Sequence, residues 1–180
     1  MDLEINVANT IGTEWLEIEP TRIGSVPTAL STPDAFVLSA IGGKPSRRID
    51  VYYPLDSYAF AIKAVPWSKW IAVGYCNLIS LVPLESGDVI TFTIAEPSTS
   101  GDYLIDLWCE HAFMLVITGS GLTRIERDGS VGWRNHCLGI DGIILDKVSD
   151  VSIEGAGEWD PPGGWKPFQI SSTTGLEMTA

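Results

Sequence analysis

Residues 113–134 read FMLVITGSGLTRIERDGSVGWR and carry the clearest structural signal in the chain. A continuous apolar run, Phe113–Thr118, is followed by a Gly-Ser-Gly turn and by the alternating stretch Leu122–Glu126. These patterns are typical of a buried strand and a half-buried strand. The next residues, Arg127–Ser130, contain an Asp-Gly pair, which favours a tight hairpin turn before a third strand, Val131–Arg134. The stretch therefore predicts consecutive antiparallel hairpins.

A similar order of elements occurs earlier in the chain. Trp70–Ile90 and Phe113–Trp133 both contain an apolar strand, a glycine-containing turn, a strand that begins with leucine, an acidic turn and a short strand. A spacing of about 43 residues is typical of propeller blades. Two or three blades do not close a ring, so this interpretation requires self-association or an N-terminal segment that completes another sheet. A meander or sandwich built from ordinary hairpins is the alternative.

The rest of the chain favours the same fold class, because 18 glycines and 11 prolines leave little room for a helix. We expect an all-β fold of antiparallel hairpins, arranged as a partial propeller-like or sandwich domain. One domain over residues 1–180 is predicted, with a subdivision into N-terminal strands (1–66) and hairpin units (67–180) as the alternative. Pro20–Pro33 is interpreted as a connection, and Tyr103–Glu110 as a strand although it also fits a helical face. The other predicted strands are Leu3–Val7, Trp15–Glu19, Ala35–Ile41, Ile49–Tyr53, Tyr58–Val65, Trp70–Tyr75, Leu78–Val82, Val89–Ile94, Ile143–Val148, Val151–Glu158 and Trp165–Ser171.

The charge of the chain restricts its partners. Eleven basic and 23 acidic residues give a formal net charge of -12, of which residues 85–180, with 15 acidic and 5 basic side chains, contribute -10. This balance argues against nucleic acid and against anionic membrane surfaces. A charged partner is expected to be basic and to bind the C-terminal half. The N-terminal residues lack the pattern of a secretory signal, so a soluble, cytoplasmic protein is expected.

A second informative stretch, residues 155–168, reads GAGEWDPPGGWKPF. Adjacent prolines fix φ, whereas adjacent glycines permit positive φ, so these residues predict a rigid, tight reversal. The candidate binding residues are Glu158, Trp159, Asp160 and Trp165. We expect the loop to be mainly a structural clamp, in which both indole rings pack on adjoining strands and a carboxylate accepts backbone N–H groups.

Two functional interpretations of this loop stay open beside the clamp. The tryptophans are suited to binding a ligand or partner. On an extended segment Glu158 and Asp160 point to one face about 7 Å apart, a separation that inverting glycosidases use between acid and base.

The same loop, with LGIDGI at residues 138–143 and DGSVGWR at residues 128–134, resembles an uncharacterised bacterial all-β family whose C-terminal half carries the run GEWDPPGGW. The resemblance covers roughly residues 70–176, and its specific part is the run Glu158–Trp165. It implies an all-β fold and no activity, since none is established for that family.

Metal and cofactor motifs are not recognised in the sequence. Cys109, His111, His136 and Cys137 match no common zinc spacing, and the chain contains no P-loop, Gly-x-Ser-x-Gly or His-Glu-x-x-His motif. We therefore expect no metal and no cofactor. Trp67 and Trp70 are predicted to close the end of a β core rather than to form an exposed patch.

The sequence thus favours a non-enzymatic all-β module that binds a basic protein partner through its acidic C-terminal half. A small hydrolase using Glu158 and Asp160, with His111 or His136 nearby, is the enzymatic alternative. A structural domain that forms homo-oligomers is the third. An apolar patch rimmed by acid would favour the module, and a pocket in which titratable groups converge would favour the enzyme.

Overall fold

The computed structural model describes residues 3–29, 31–54, 62–94, 103–160 and 162–178. Over these residues the protein is all-β, as predicted, and a single 3₁₀ turn at Thr13–Trp15 is the only helical element. The strands form four sheets in which nearly all neighbours are antiparallel. No helix in the described ranges is long and apolar enough to cross a membrane. The strands are β1 (Leu3–Ala8), β2 (Thr21–Gly24), β3 (Ala35–Ile41), β4 (Lys44–Tyr52), β5 (Lys63–Trp67), β6 (Trp70–Tyr75), β7 (Leu78–Pro83), β8 (Ile90–Thr93), β9 (Leu104–Cys109), β10 (Phe113–Thr118), β11 (Leu122–Glu126), β12 (Val131–Asn135), β13 (Ile143–Val148), β14 (Ser152–Glu158) and β15 (Trp165–Ser171).

The chain divides into two compact units, Met1–Thr93 and Ile94–Ala180. The first unit contains a sheet of order β1-β3-β4-β2 and a four-stranded meander, β5-β6-β7-β8. Apolar side chains of both sheets pack together, including Val37 and Val51 from the first and Ile71 and Val73 from the second. The first unit is therefore a two-sheet sandwich with its own core.

The second unit has the same plan. Its four-stranded meander, β12-β11-β10-β9, faces the three-stranded sheet β13-β14-β15. Leu115 and Leu122 of the meander pack with Ile143, Ile153 and Ile170 of the three-stranded sheet. Each unit is thus a sandwich of two sheets, which was one of the two arrangements predicted for the all-β fold.

Most predicted strands agree with the structure, including Tyr103–Glu110, where β9 forms rather than a helix. The Asp-Gly hairpin turn is also confirmed, since Gly129 has a φ of 96° and the Asp128 carboxylate accepts the Ser130 N–H at 2.8 Å. The similarity between Trp70–Ile90 and Phe113–Trp133 corresponds to the same strands of the two meanders. Residues 58–61 of the predicted strand Tyr58–Val65 lie outside the described residues.

Two local predictions were wrong. Trp15–Glu19 is not a strand: Trp15 ends the 3₁₀ turn, whose Thr13 carbonyl accepts the Leu16 N–H. Pro20–Pro33 is not only a connection, because it contains β2, which pairs with β4 in parallel. Only Ile23 of β2 is buried, so the strand is too short to show an alternating pattern.

The subdivision considered at residues 66 and 67 falls inside β5, which pairs with β6 along its whole length. The compact units instead divide after Thr93. A single domain over 1–180 stays a prediction.

Candidate functional site

The tight reversal predicted in residues 158–165 joins β14 to β15. Glu158, the last residue of β14, lies directly opposite Trp165, the first residue of β15. The Trp159 N–H donates to the Gly164 carbonyl at 3.0 Å, and the Gly164 N–H donates to the Asp160 carbonyl at 3.0 Å. Gly163 has a φ of 103°, which a side chain would disfavour. Pro161 lies outside the described residues.

The Glu158 carboxylate holds this turn together. Its Oε1 accepts the Gly163 N–H at 2.7 Å, while the Glu158 main-chain N–H donates to the Gly142 carbonyl at 2.9 Å. The expectation that a carboxylate accepts a backbone donor of the turn is therefore confirmed for Glu158. Asp160 is exposed, and its main-chain carbonyl accepts a hydrogen bond within the turn.

The expectation that both indole rings pack on adjoining strands is met only in part. Trp159 is 36% exposed and Trp165 is 40% exposed. The Trp165 ring lies against Gly142, where an added Cβ would be 3.1 Å from its Cη2 atom. Trp159 stacks instead with Lys166, whose Nζ lies 5.4 Å from the centre of the indole. The reversal is thus closed by backbone hydrogen bonds and Glu158 more than by buried rings.

Three of the four predicted binding residues, Glu158, Trp159 and Trp165, divide between two sides of the β13-β14-β15 sheet. Because side chains alternate along a strand, Glu158 and its partner Trp165 point to one side, and Lys166 points to the other. Trp159 lies with Lys166. The structure therefore forms two candidate surfaces from one predicted cluster.

We call the first surface the outer face. Register places Ile144, Ala156 and Pro167 in one row across the three strands, and Glu158 and Trp165 in the adjacent row. Ile144 is 52% exposed, and Pro167 is exposed as well. The outer face is thus an apolar strip that begins at the reversal.

Charged side chains border this strip. In the row beyond Ala156, Glu154 pairs with Lys147, with 3.9 Å between Oε1 and Nζ, and with the Gln169 amide at 3.4 Å. Glu158 borders the other side. Residues 94–180 hold 13 acidic and 5 basic side chains, a net charge of -8. The outer face is therefore an apolar strip bordered by Glu154, Glu158 and one lysine, Lys147.

The second surface is a cavity of about 370 Å³ on the other side of the sheet. Its apolar wall is formed by Leu138, Phe168 and Ile170, and Trp159 and Lys166 lie along it. The rest of the lining consists of Asn135, Cys137, Pro167 and Glu177. The sequence did not predict this cavity, because three separate segments form it.

Two of the candidate enzymatic groups, Glu158 and His136, have side-chain hydrogen-bond partners elsewhere in the unit. Glu158 is engaged by the turn, and His136 Nδ1 lies 3.4 Å from Ser120 Oγ. Burial raises the pKa of the Cys109 thiol to about 11, with the charges of Glu110 and Asp106 adding to the shift. No group of three or more His, Cys, Asp or Glu residues suited to a metal ion occurs within the described part of the chain.

Trp67 and Trp70 are buried at the hairpin that joins β5 to β6. The prediction that they are buried rather than part of an exposed aromatic patch is confirmed.

Comparisons with protein families and with curated proteins find no match to this chain. The resemblance to the bacterial family with the GEWDPPGGW run stays a prediction.

Proposed function

We propose that this protein is a binding module whose outer face, on the β13-β14-β15 sheet, binds a basic protein partner. One observation carries the proposal: an apolar strip, in which Ile144, Trp165 and Pro167 are exposed and Ala156 is half-buried, lies between acidic side chains.

The apolar strip favours a protein partner because its members are adjacent rather than scattered. Single exposed apolar residues are common on any surface, whereas a contiguous patch rimmed by polar groups marks an interaction site. Tryptophan is also among the residues that contribute most to binding energy in interfaces. Trp165, half exposed at one end of the strip, is the expected anchor.

The charges around the strip favour a basic partner. Glu158 lies beside Trp165, Glu154 lies in the row beyond Ala156, and the residues 94–180 carry a net charge of -8. Complementary charge mainly speeds the association of two proteins and excludes wrong partners. Lys147 pairs with Glu154 and offsets the charge of that carboxylate, but not the charge of Glu158.

The edge strands β13 and β15 are poorly suited to pairing with a strand of a partner, which favours recognition through the face of the sheet. β13 shifts register between Leu145 and Lys147, and β15 contains Pro167, which has no N–H to donate. Bulges and prolines of this kind hinder the addition of another strand at an edge.

The test compares proteins captured from a cell extract by three forms of the full chain. The outer-face variant is Ile144→Ser with Trp165→Ser. The matched control is Val131→Ser, which changes an apolar residue of similar exposure on the other sheet. We expect at least one basic protein that the wild type and the control bind equally, and that the outer-face variant binds at least about tenfold more weakly.

Affinity of that purified protein is then measured against salt and against Glu154→Gln with Glu158→Gln. Weaker binding in both cases supports the charged rim. Capture that is equal for all three forms, or the absence of any protein sensitive to the outer-face variant, overturns the proposal. The oligomeric state of each purified form is measured by sedimentation. A dimer that forms in the wild type and is lost in the outer-face variant would assign the face to a second copy of this chain instead.

A further inference from the structure

We propose that the cavity beside Trp159 and Lys166 binds a small aromatic compound with one carboxylate group. Pro167 of the outer-face strip also lines the cavity, but the proposed ligand contacts, Trp159 and Lys166, lie outside that strip, so this inference does not depend on the proposed protein partner. Its volume, about 370 Å³, is within the range of small-molecule sites in proteins.

The wall of the cavity selects an apolar ring. Leu138 and Ile170 are buried residues of the core of the second unit, and Phe168 packs against them. Together with the Trp159 indole they present aliphatic and aromatic groups to one space. An aromatic ring placed there would gain both burial and ring-to-ring contact.

Lys166 supplies the charge that would hold a carboxylate. Its Nζ lies over the Trp159 ring at 5.4 Å from the centre. Among the residues that the structure describes, no carboxylate oxygen is paired with this ammonium group. A ligand carboxylate at Lys166 would therefore form an ion pair without displacing a protein partner, and the adjacent apolar wall would strengthen it by excluding water.

The remaining charges restrict the ligand to one negative group. Glu177 is part of the same lining, and residues 94–180 carry a net charge of -8. A second carboxylate or a phosphate would meet this negative field with only one lysine to offset it. The cavity is therefore expected to prefer monocarboxylates to dicarboxylates.

The lining is held in place before a ligand binds. Asn135 Oδ1 accepts the Cys137 N–H at 3.0 Å, and Asn135 Nδ2 donates to the Gly175 carbonyl at 2.7 Å. Gly157 lets Leu138 approach the sheet, since a Cβ there would lie 1.7 Å from the Leu138 carbonyl oxygen. A fixed lining lowers the entropic cost of binding.

The experiment follows the fluorine resonance of 4-fluorophenylacetate as the full-length protein is added. We expect saturable binding in the millimolar range or tighter, as suits a ligand of this size. The neutral amide of the same compound and 4-fluorophthalate, which has two carboxylates, should each bind at least about fivefold more weakly.

Three variants locate the site. Lys166→Met should weaken binding of the carboxylate about tenfold and leave the amide unchanged, and Trp159→Ala should weaken both. Trp165→Phe, on the outer face, is the matched control and should bind like the wild type. Thermal unfolding of each variant verifies that it is folded.

No binding by the wild type at about 10 mM overturns the proposal, because an affinity that weak is not that of a formed site. Binding that Lys166→Met leaves unchanged overturns the assigned charge contact. Binding that Trp159→Ala leaves unchanged, or that Trp165→Phe abolishes, places the compound elsewhere.

Discussion

Cys109 shows how its surroundings control the chemistry of one residue. Cys109 is exposed at the surface, but partial desolvation of its sulfur by the surrounding protein, and then the charges of Glu110 and Asp106, oppose formation of the thiolate. The thiol pKa is raised from 9.0 to about 11. Since the thiolate is the nucleophile, we expect Cys109 to react slowly near neutral pH.

The pH dependence of alkylation should therefore show that Cys109 loses its proton at a higher pH than an ordinary thiol. In the folded protein its rate with iodoacetamide should rise about tenfold per pH unit through pH 9.5 without a plateau. In the urea-unfolded chain the same peptide should level off near its ordinary pKa of 9.0. Peptide mass spectrometry resolves Cys109 from the other cysteines. A plateau below pH 9 in the folded protein would contradict the raised pKa.

The same shift has a consequence for stability. Between pH 9.0 and about 11 the unfolded chain loses this proton while the folded chain keeps it. The unfolded state then binds fewer protons, so the free energy of unfolding falls as the pH rises through this range.

At the scale of structural elements, one arrangement occurs in both units. On β4, Arg48 binds the Asp50 carboxylate through Nε at 2.7 Å and Nη2 at 2.9 Å, and its guanidinium lies 5.5 Å from the Phe36 ring centre. On β11, Arg124 binds Glu126 in the same two-pronged way and lies 4.1 Å from the Phe113 ring centre. In each hairpin the phenylalanine is directly opposite the acidic residue.

These two arrangements should differ in stability when the arginine is removed. The side chain of Asp50 is 3% exposed, whereas that of Glu126 is 36% exposed. Arg48→Met leaves a buried carboxylate without its partner and should lower the free energy of unfolding by about 3–5 kcal/mol. Arg124→Met leaves a hydrated carboxylate and loses the bond to the Ser172 carbonyl, so a loss of about 1–2 kcal/mol is expected.

Urea unfolding of the two variants measures this difference, and Arg48→Met with Asp50→Leu is the control. The double variant should regain much of the lost stability, because a buried apolar pair replaces an unpaired charge. Equal losses for Arg48→Met and Arg124→Met would show that burial of the carboxylate does not set the cost.

Local patterns predicted the elements that carry their own signal. β10 and β11 follow from an apolar run, an alternating run and an Asp-Gly turn, since these patterns depend only on neighbouring residues. β2 was missed because a parallel neighbour, β4, stabilises four residues of which only Ile23 is buried.

The turn of the candidate site was predicted because its signal is also local, whereas the placement of its side chains was not predicted. Prolines, glycines and an acidic residue indicate a closed turn, and Glu158 closes it. Which side of the sheet each tryptophan faces depends on the register Glu158–Trp165, which the turn geometry sets. The cavity brings Cys137 together with Phe168 and Glu177, and no local pattern relates Cys137 to residues that lie 31 and 40 positions later in the chain.

At the scale of the whole molecule, each unit has a complete hydrophobic core. Core residues of the first unit come from the β1–β4 sheet and the β5–β8 meander, and those of the second come from the β9–β12 meander and the β13–β15 sheet. A sandwich with both sheets present buries the inner face of each, so about 90 residues are enough for independent stability.

We therefore expect chains of residues 1–93 and 94–180 to fold separately. Each should show a β-type circular dichroism spectrum and cooperative unfolding in urea, with a free energy of roughly 3–8 kcal/mol. The control is a chain of residues 1–66, which keeps the β1–β4 sheet but lacks Ile71, Val73 and Tyr75 of the facing meander. Without them the inner face of that sheet is exposed to water, so this chain should show no cooperative transition. If 1–93 and 94–180 are both unfolded while the full chain unfolds in one transition, the two cores depend on each other and residues 1–180 form a single domain.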